Sequence, residues 1–461
     1  MNFQNRGNDG ITAVNDGPDT GGLALDDLDA LTGGLPADAG TTVAIYENGR
    51  RWAGVPTAGT PEKPAFSCQL RPVAEPRTST VEVRDASGAR LFARATIHRP
   101  VRRNDLGLRA SDVFELAHPP LASVPWMSFD GVKITIGGGH LPPGGDPSSL
   151  SVKTGPGVVA TFDYPLVAPG WPGYFWYWPN AGLSYFLLTI DLVASDFGAD
   201  PFHLEFVETR DNRTRKLSDL WLPNDLRSFL GFTKDVTLID RVQWGFDAYG
   251  IVLPGYSTFR YLEAEFRRYG IDPEANPSVL DWGCGVGRLT AHFIRQWPHA
   301  RIFGTDVDAA NVAWCESSLG AGFTICPLWP PTAYDDASFD GAFGVSVMTH
   351  LTAEAQTAWL RELARVLRPG GIALLTFGGV SGTANGSRWR SAEWWDQWRR
   401  TGFDAESRDP ILTGSIADDD YYRQSNQTIE NVRETWSEHF EIVEIVEAAF
   451  GNQDMAVMRR R

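Results

Sequence analysis

The stretch that decides the fold is VLDWGCGVGR, residues 279–288. Its apolar start ends in a carboxylate, Asp281, and three glycines follow at alternate positions, Gly283, Gly285 and Gly287. Glycine tolerates positive φ angles and lets a ligand approach the backbone without meeting a Cβ atom. This order is typical of a buried strand, a tight loop and a helix whose N-terminus faces a ligand. Two common phosphate-binding loops do not fit, because no Gly-Lys-Ser/Thr follows and the third glycine comes one residue earlier than in G-x-G-x-x-G.

The sequence after this loop alternates between strand and helix patterns at short, regular intervals. Apolar residues at helical spacing predict helices after the loop, after residue 308 and after residue 352. Further strands are predicted for ARIFGTDVD, FTICPL, FDGAFGVSVMTHL, IALLTF, EIVEIVE and MAVMRR. Such alternation favours a doubly wound parallel sheet.

Five segments, taken in order, resemble class I methyltransferases, which use S-adenosylmethionine, and in particular a bacterial group with a DWGCGxGR motif. They are DWGCGVGR, GTDVD, SFDGAFGVSVMTHL, LARVLRPGG and GNQDMAVMRRR. The resemblance covers about residues 240–461. It implies a Rossmann-like, seven-stranded sheet whose last strand is antiparallel, S-adenosylmethionine as the cofactor, and no metal.

The resemblance also implies a set of cofactor-binding residues. Asp281 and the loop glycines Gly283, Gly285 and Gly287 are expected to frame the methionine part of the cofactor. Arg288 is expected to pair with its carboxylate. Many relatives place an acid after the third strand for the adenine amino group, but here CPLWPPTAY follows, which leaves backbone and apolar contacts around Leu328. Asp306 is expected to hold the ribose hydroxyls, because two neighbouring hydroxyls suit one carboxylate. The remaining expected cofactor contacts are Val307 and Ser346.

Methyl transfer to a hydroxyl requires a general base near the acceptor. His350 is predicted to end the fourth strand on the ligand side of the sheet, and capping of the following helix is its alternative role. Asp454, Tyr421 and Tyr422 are further candidates for the base. By the resemblance, residues 378–436 are expected to cover the acceptor and to decide its choice, and an ordinary helix with a tryptophan core face is the alternative. The tryptophans of this insertion are Trp389, Trp394, Trp395 and Trp398.

The first half of the chain has the texture of β domains. Residues 1–40 contain little apolar periodicity and predict a disordered acidic arm. Short alternating segments predict a small β domain over 41–105 and a second, sandwich-like β domain over 120–230. The aromatic stretch GWPGYFWYWPN, residues 170–180, either stacks on sugar rings, fills a core or docks on the C-terminal domain. The histidines of this half share no metal-ligand spacing, so no metal site is predicted.

Composition restricts the partners and the location. A net charge of −16 over 461 residues argues against nucleic-acid binding. Four cysteines without C-x-x-C spacing are typical of a reduced, cytoplasmic protein. The N-terminal MNFQNRGNDG lacks the apolar segment of a signal peptide, and no stretch is long and apolar enough to span a bilayer. We therefore expect a cytoplasmic protein with a small-molecule or glycan acceptor.

Three functional hypotheses follow. The first is an S-adenosylmethionine-dependent methyltransferase that acts on a hydroxyl of a saccharide, a glycan or a related small molecule. The second is a non-catalytic glycan-binding or assembly protein that keeps a cofactor-binding fold, against which the intact set of Asp281, Asp306 and loop glycines argues. The third is a nicotinamide-dependent oxidoreductase, against which the early third glycine argues.

Overall fold

The structure is a computed structural model, and a seven-stranded sheet forms the centre of its C-terminal half. It describes residues 14–15, 24–25, 30–40, 42–60, 63–99, 101–116, 123–141, 149–155, 157–168, 170–195, 202–210, 213–223, 235–242, 248–320, 322–418 and 420–461. The seven strands are β1 Ser278–Trp282, β2 Arg301–Asp306, β3 Phe323–Ile325, β4 Phe339–Gly344, β5 Leu367–Phe377, β6 Phe440–Val446 and β7 Asp454–Arg460. Their order is β3-β2-β1-β4-β5-β7-β6, and only β7 runs antiparallel to its neighbours. The predicted sheet with an antiparallel last strand is confirmed.

Alternate residues of the strands pack against helices on opposite faces of this sheet, as the pleat of a strand requires. Val279 of β1 lies in one buried cluster with Phe259 and Phe293. Leu280, its neighbour, lies in a second buried cluster with Trp359. The helices of this half are Val236–Asp240, Ala248–Arg268, Thr290–Gln296, Ala309–Leu319, Ala353–Val366, Val380–Gly386, Ala392–Thr401 and Ile429–Thr435. The fold is therefore doubly wound.

The fourth strand is shorter than the sequence pattern indicated. It ends at Gly344, and His350 lies beyond it in the short 3₁₀ turn Met348–His350. Thr352 caps the next helix, because its Oγ1 accepts a hydrogen bond from the N–H of Ala355 at 3.2 Å. The prediction that His350 ends the strand is wrong, although its position beyond the carboxyl end of β4 remains.

Other 3₁₀ turns are Pro273–Ala275, Ser387–Trp389, Pro410–Leu412 and Trp436–Glu438, and a separate two-stranded sheet pairs Phe403–Arg408 with Arg423–Gln427.

The first β region contains a five-stranded and a four-stranded sheet, both antiparallel. Their strands, in spatial order, are Val14–Asn15, Leu91–Arg99, Arg77–Asp85, Thr42–Glu47 and Arg50–Pro56, and then Ala24–Leu25, Ala30–Gly34, Lys63–Gln69 and Ala58–Thr60. Leu31 and Phe66 of the smaller sheet share one buried cluster with Val43 and Val81 of the larger sheet. A single core therefore joins the two sheets.

The described part of the predicted acidic arm is not disordered. Ala30–Gly34 pairs with Lys63–Gln69, and Leu31 is completely buried. Val14–Asn15 and Ala24–Leu25 also pair in sheets. The prediction missed these residues because their partners lie far away in sequence, so that no local periodicity reports them. The rest of the arm lies outside the described residues.

The second β region also consists of two antiparallel sheets. Their strands are Ser123–Phe129, Lys133–Gly139, Tyr185–Asp191 and Val159–Leu166, and then Ser149–Thr154, Phe202–Arg210 and Arg213–Leu222. Ile136 and Leu188 of the first sheet share a buried cluster with Leu204 and Phe206 of the second. The helix Ala110–Leu116 links the two β regions. The boundaries predicted from the sequence for the two β domains, 41–105 and 120–230, stay predictions.

The aromatic stretch 170–180 packs against the C-terminal half. Tyr177 and Trp178 are buried in one cluster with Trp395 and Trp398 of the insertion. The indole N–H of Trp176 donates a hydrogen bond to a hydroxyl of the insertion, Ser387 Oγ, at 2.9 Å. The stretch therefore docks on the C-terminal domain, the third alternative above, and most of its rings are not free to stack on sugars.

Among the described residues, no helix has the length and apolar character needed to cross a membrane.

Candidate active site

The glycine loop is bound tightly to the neighbouring strand. The N–H groups of Gly283 and Cys284 both donate to the carbonyl of Thr305, at 2.8 and 3.0 Å. Gly283 has a φ of +77°, and a Cβ atom there would overlap the side chain of Val347. Only glycine combines this backbone conformation with this close approach. The loop therefore forms a fixed edge at the carboxyl ends of β1 and β4.

A cavity of about 850 Å³ opens at that edge. It lies where open α/β sheets bind ligands, beyond the carboxyl ends of the parallel strands. Its volume lies in the upper part of the range of small-molecule sites, about 300–1,000 Å³. The loop, the end of β2, residues 345–351, residues 447–453 and a strand of the second β region all contribute to its wall. The cavity therefore has room for a nucleoside cofactor and a second molecule.

Two buried carboxylic acids face this cavity. Asp281 accepts a hydrogen bond from Thr290 Oγ1 at 2.5 Å, and Asp306 accepts the N–H groups of Gly285 at 2.7 Å and Asp308 at 2.8 Å. Burial raises the pKa of Asp281 to about 7 and the pKa of Asp306 to about 6, although these hydrogen bonds act in the opposite direction. Burial also lowers the pKa of Arg288, which Asp281 partly offsets. A ligand with hydroxyl donors and positive charge would stabilise the ionised acids.

A small network of polar side chains holds the segment that follows β4. Ser346 is a non-glycine residue with a φ of +63°, and its N–H donates to Thr376 Oγ1 at 2.7 Å. Thr376 Oγ1 donates to Gln453 Oε1 at 2.7 Å, and Gln453 Nε2 donates to Ser346 Oγ at 2.7 Å. Such strained residues persist only where the surroundings hold them, and they are common at functional sites.

Contacts at Nδ1 and a stacked tyrosine ring orient the His350 imidazole. Its Nδ1 lies 3.1 Å from the carbonyl oxygen of Arg423 and 3.4 Å from Asp409 Oδ2, and the ring stacks on Tyr422 with 4.2 Å between centroids. A carbonyl only accepts, so Nδ1 carries the proton and Nε2 is the basic nitrogen of the neutral ring. Burial raises the pKa of Asp409, but its hydrogen bond to His350 and the N–H of Ile411 outweigh burial and hold that pKa below its usual range. His350 lines the cavity.

Residues 279–371 match the family model described as a methyltransferase domain. This match and the relatives named below support a class I, S-adenosylmethionine-dependent methyltransferase domain in the C-terminal half. Similar proteins include a trans-aconitate 2-methyltransferase of Azoarcus sp. (strain BH72), 34% identical over 21% of this chain and 36% of the relative. Methyltransferase GfsG of Streptomyces halstedii is 33% identical over 22% of this chain and 37% of the relative. A solved S-adenosylmethionine-dependent methyltransferase of Methanosarcina mazei is 18% identical, with a TM-score of 0.32, over 42% of this chain and 96% of its own. The chain thus spans little more than a third of these two curated relatives.

Most of the predicted site residues of the methyltransferase domain meet in the one cavity. They are Asp281, Gly283, Gly285, Arg288, Asp306, Val307, Ser346, His350 and Tyr421. Gly287 lies behind the wall, where a Cβ atom would come within 2.6 Å of Leu319 Cδ1, so the close packing of a helix requires glycine there. The cradle of glycines and the two buried acids fit S-adenosylmethionine.

Besides Gly287, two predicted residues lie outside the cavity wall. Leu328 packs on the core instead, and its carbonyl accepts the indole N–H of Trp359 at 3.2 Å, whereas Cys326 occupies the wall at this strand. Asp454 is buried and accepts the N–H of Ala448 at 2.8 Å, which supports the turn that lines the cavity. The structure therefore gives Leu328 no direct place beside adenine and gives Asp454 a supporting role.

Tyr421 lines the cavity, but its chemistry does not suit a base. Its hydroxyl accepts the Trp359 indole N–H at 2.8 Å, and burial raises its pKa to about 12. At neutral pH it is a phenol that donates a hydrogen bond and takes no proton.

Sequence reasoning missed Asp409, whose Oδ2 lies 3.4 Å from His350 Nδ1 outside the cavity lining, and the cavity residue Gln453, which precedes β7. Tyr422, a predicted candidate, lines the cavity and stacks on His350. Asp409 does carry a local signal, because an acid before proline typically caps a turn, and its carboxylate accepts the N–H of Ile411 at 3.1 Å. The tryptophans of the insertion, by contrast, do not line the cavity, and Trp389 is exposed.

One group of metal-ligand type occurs in the described part of the chain. His203, Glu205 and Asp219 bring one ligand atom each to within 4.8 Å of one another. Lys216 lies 2.8 Å from Asp219 Oδ2, and Lys153 lies 3.7 Å from Glu205 Oε2. Because both carboxylates already have a lysine partner, we assign no metal to this group.

Proposed function

We propose that the protein is an S-adenosylmethionine-dependent methyltransferase that methylates a hydroxyl group of a small molecule. The observation that supports this most is that an oriented histidine, His350, shares one cavity with the glycine loop and with Asp281 and Asp306. The same intact set argues against the non-catalytic alternative. An oxidoreductase would need a different loop spacing.

Each residue has a task in this proposal. The cofactor supplies an electrophilic methyl group on a positively charged sulfur. Asp306 holds the ribose hydroxyls, Arg288 binds the carboxylate of the methionine part, and the loop aligns the methyl group with the acceptor. His350 takes the hydroxyl proton at Nε2 while Asp409 stabilises the imidazolium that forms.

The proposal also covers the chemical class of the acceptor, the cellular location of the protein and the architecture of the two N-terminal β regions. A saccharide hydroxyl is one acceptor of this class, although the aromatic stretch that first favoured it is used in docking. The acidic net charge of −16 supports a small acceptor rather than nucleic acid. Four free, buried cysteines support a reducing, cytoplasmic location. The shared cores support β-sandwich architecture in both N-terminal regions.

The experiment is methyl transfer from isotopically labelled S-adenosylmethionine to a panel of hydroxyl compounds. With an acceptor in hand, His350→Ala should lower the single-turnover rate about 10²–10⁴-fold, the contribution of a general base. Its affinity for S-adenosylhomocysteine should stay unchanged. Asp409→Asn should lower the rate less and should shift the pH profile of the reaction, since it acts through His350. A loss below about fivefold in His350→Ala would assign this residue to helix capping instead.

A further inference from the structure

The cavity has two unlike walls. The glycine loop, Asp281 and Asp306 form the wall that fits a cofactor. Another part of the wall includes Leu217 and Asp219 of the strand Arg213–Leu222, which belongs to the second β region. The family match begins only at residue 279, so this strand lies outside the segment that the chain shares with the family model.

The strand is fixed against the methyltransferase domain next to the cavity. The N–H of Trp221 donates to Ser257 Oγ at 3.3 Å, and the guanidinium of Arg260 lies 5.0 Å from the centre of the Trp221 ring. Ser257 lies on the helix Ala248–Arg268 and lines the cavity itself. Trp221 and Asp219 alternate along the strand and so share one face. The register of the strand shifts at Leu217, which packs on the core of the second β region and also lines the cavity. The position of Asp219 relative to the cavity is therefore set by the packing between the two halves.

The charges around the cavity disfavour an anion. Its described lining contains four acids, Asp219, Asp281, Asp306 and Glu447, and two arginines. The acids remain in excess, although Asp281 with its pKa of about 7 is only partly ionised at neutral pH and Lys216 lies 2.8 Å from Asp219 Oδ2. Arg241 is paired with Asp308 at 3.1 Å, and Arg288 interacts with Asp281. Burial raises the pKa of Asp219, but Lys216 and His203 outweigh burial and hold that pKa below its usual range, so Asp219 is ionised at neutral pH.

We propose that the strand Arg213–Leu222 selects the acceptor, with Leu217 as the apolar contact and Asp219 as the charge that discriminates. The acceptor that fits is an uncharged hydroxyl compound rather than a carboxylate. This inference rests on the proposed function, because it concerns the second molecule in the same cavity. It separates this protein from its relatives, one of which is named for the tricarboxylic acid trans-aconitate.

The test is ligand-observed NMR on the full chain saturated with S-adenosylhomocysteine. The probes are 4-hydroxybenzamide and 4-hydroxybenzoate, which differ by one charge and little in shape. We expect the amide to bind at least about fivefold more tightly, the effect of one repulsive charge near a solvent-accessible carboxylate. Leu217→Trp should weaken amide binding at least about tenfold by filling the apolar wall. Leu217→Ser, which cannot overpack, should weaken it less and in the same direction. The control Val159→Trp, at an exposed position of the same β region, should change nothing.

Asp219→Asn should reduce the ratio between the affinities for 4-hydroxybenzamide and 4-hydroxybenzoate. Tighter binding of the benzoate, binding of neither probe, or amide binding unaffected by both Leu217 variants would overturn the inference while S-adenosylhomocysteine still binds. A wild-type chain that does not bind S-adenosylhomocysteine would overturn the proposed function as well. The two failures are therefore distinguishable.

Discussion

The two cavity acids depend on burial more than on their sequence neighbours. Asp281 lies next to the end of β1 and Asp306 is the last residue of β2, and this pattern together with the family resemblance predicted that they face the site. The pattern did not indicate that their pKa values rise to about 7 and about 6, because burial results from the packing of distant segments. The same applies to Asp409, whose partner His350 is remote in sequence.

Cofactor affinity should depend on pH through these acids. Both folded-state pKa values lie above the ordinary value of 3.8, so ionisation costs stability, and the free energy of unfolding of the ligand-free chain should fall as the pH rises from about 4 to 7. Ligand hydroxyls prefer the ionised Asp306, so affinity for S-adenosylhomocysteine should rise over the same range. Between pH 5 and 7.5 calorimetry should show about a tenfold gain, since a group of pKa 6 is about one-tenth ionised at pH 5. A flat profile would mean that neither acid contacts the ligand.

At the scale of elements, the strands of the seven-stranded sheet could be predicted from the sequence, whereas their exact ends, the strands within residues 1–40 and the packing of the insertion could not. β1 and its loop were predicted from apolar residues, a carboxylate and glycines. The short β4 was not, because the apolar residues Val345 and Val347 continue beyond its last hydrogen-bonded residue. For the insertion, a cover over the acceptor and a helix with a tryptophan core face were the two alternatives. Trp395 and Trp398 are buried in the cluster that joins the two halves, which agrees with the core face, whereas Ile411 and Tyr421 of the insertion line the cavity.

The glycine loop gives a prediction with a matched control. Gly283→Ala places a Cβ atom at a residue of positive φ and against the side chain of Val347. Gly370→Ala also places a Cβ atom at a positive φ, +81°, but no atom lies within 4 Å of it. Each should lose about 1–2 kcal/mol of stability from the left-handed backbone. Only Gly283→Ala should also weaken S-adenosylhomocysteine binding, as measured by calorimetry beside thermal unfolding. Equal affinities of the two variants would show that the loop does not shape the site.

At the scale of the whole molecule, the N-terminal half packs against the C-terminal half. Asn104 Nδ2 donates to the carbonyls of Ser387 at 3.0 Å and Arg390 at 2.7 Å, and the aromatic cluster buries Trp395. None of these long-range contacts could be predicted from sequence periodicity, which reports local elements only. The separate domains predicted from the sequence therefore understate how far the two halves depend on each other.

A chain that begins at Ile239 provides the test of this dependence. It retains the whole seven-stranded sheet but loses the residues that cover Trp395 and Trp398 and the acceptor wall. We expect it to unfold at a lower temperature than the full chain and to aggregate more readily, because it exposes a large apolar patch. Equal thermal stability and solubility would mean that the contacts between the halves contribute little.

The central claim is that the cavity binds S-adenosylmethionine through the acid at the end of β2. The most direct measurement is calorimetric titration of the full chain and of Asp306→Ala with S-adenosylhomocysteine at neutral pH, with circular dichroism to establish that both are folded. The wild type should bind one molecule, and the variant should bind at least about tenfold more weakly, because it lacks charge-assisted hydrogen bonds worth about 1.5–3 kcal/mol. No binding by the wild type, or the same affinity in both, would contradict the account.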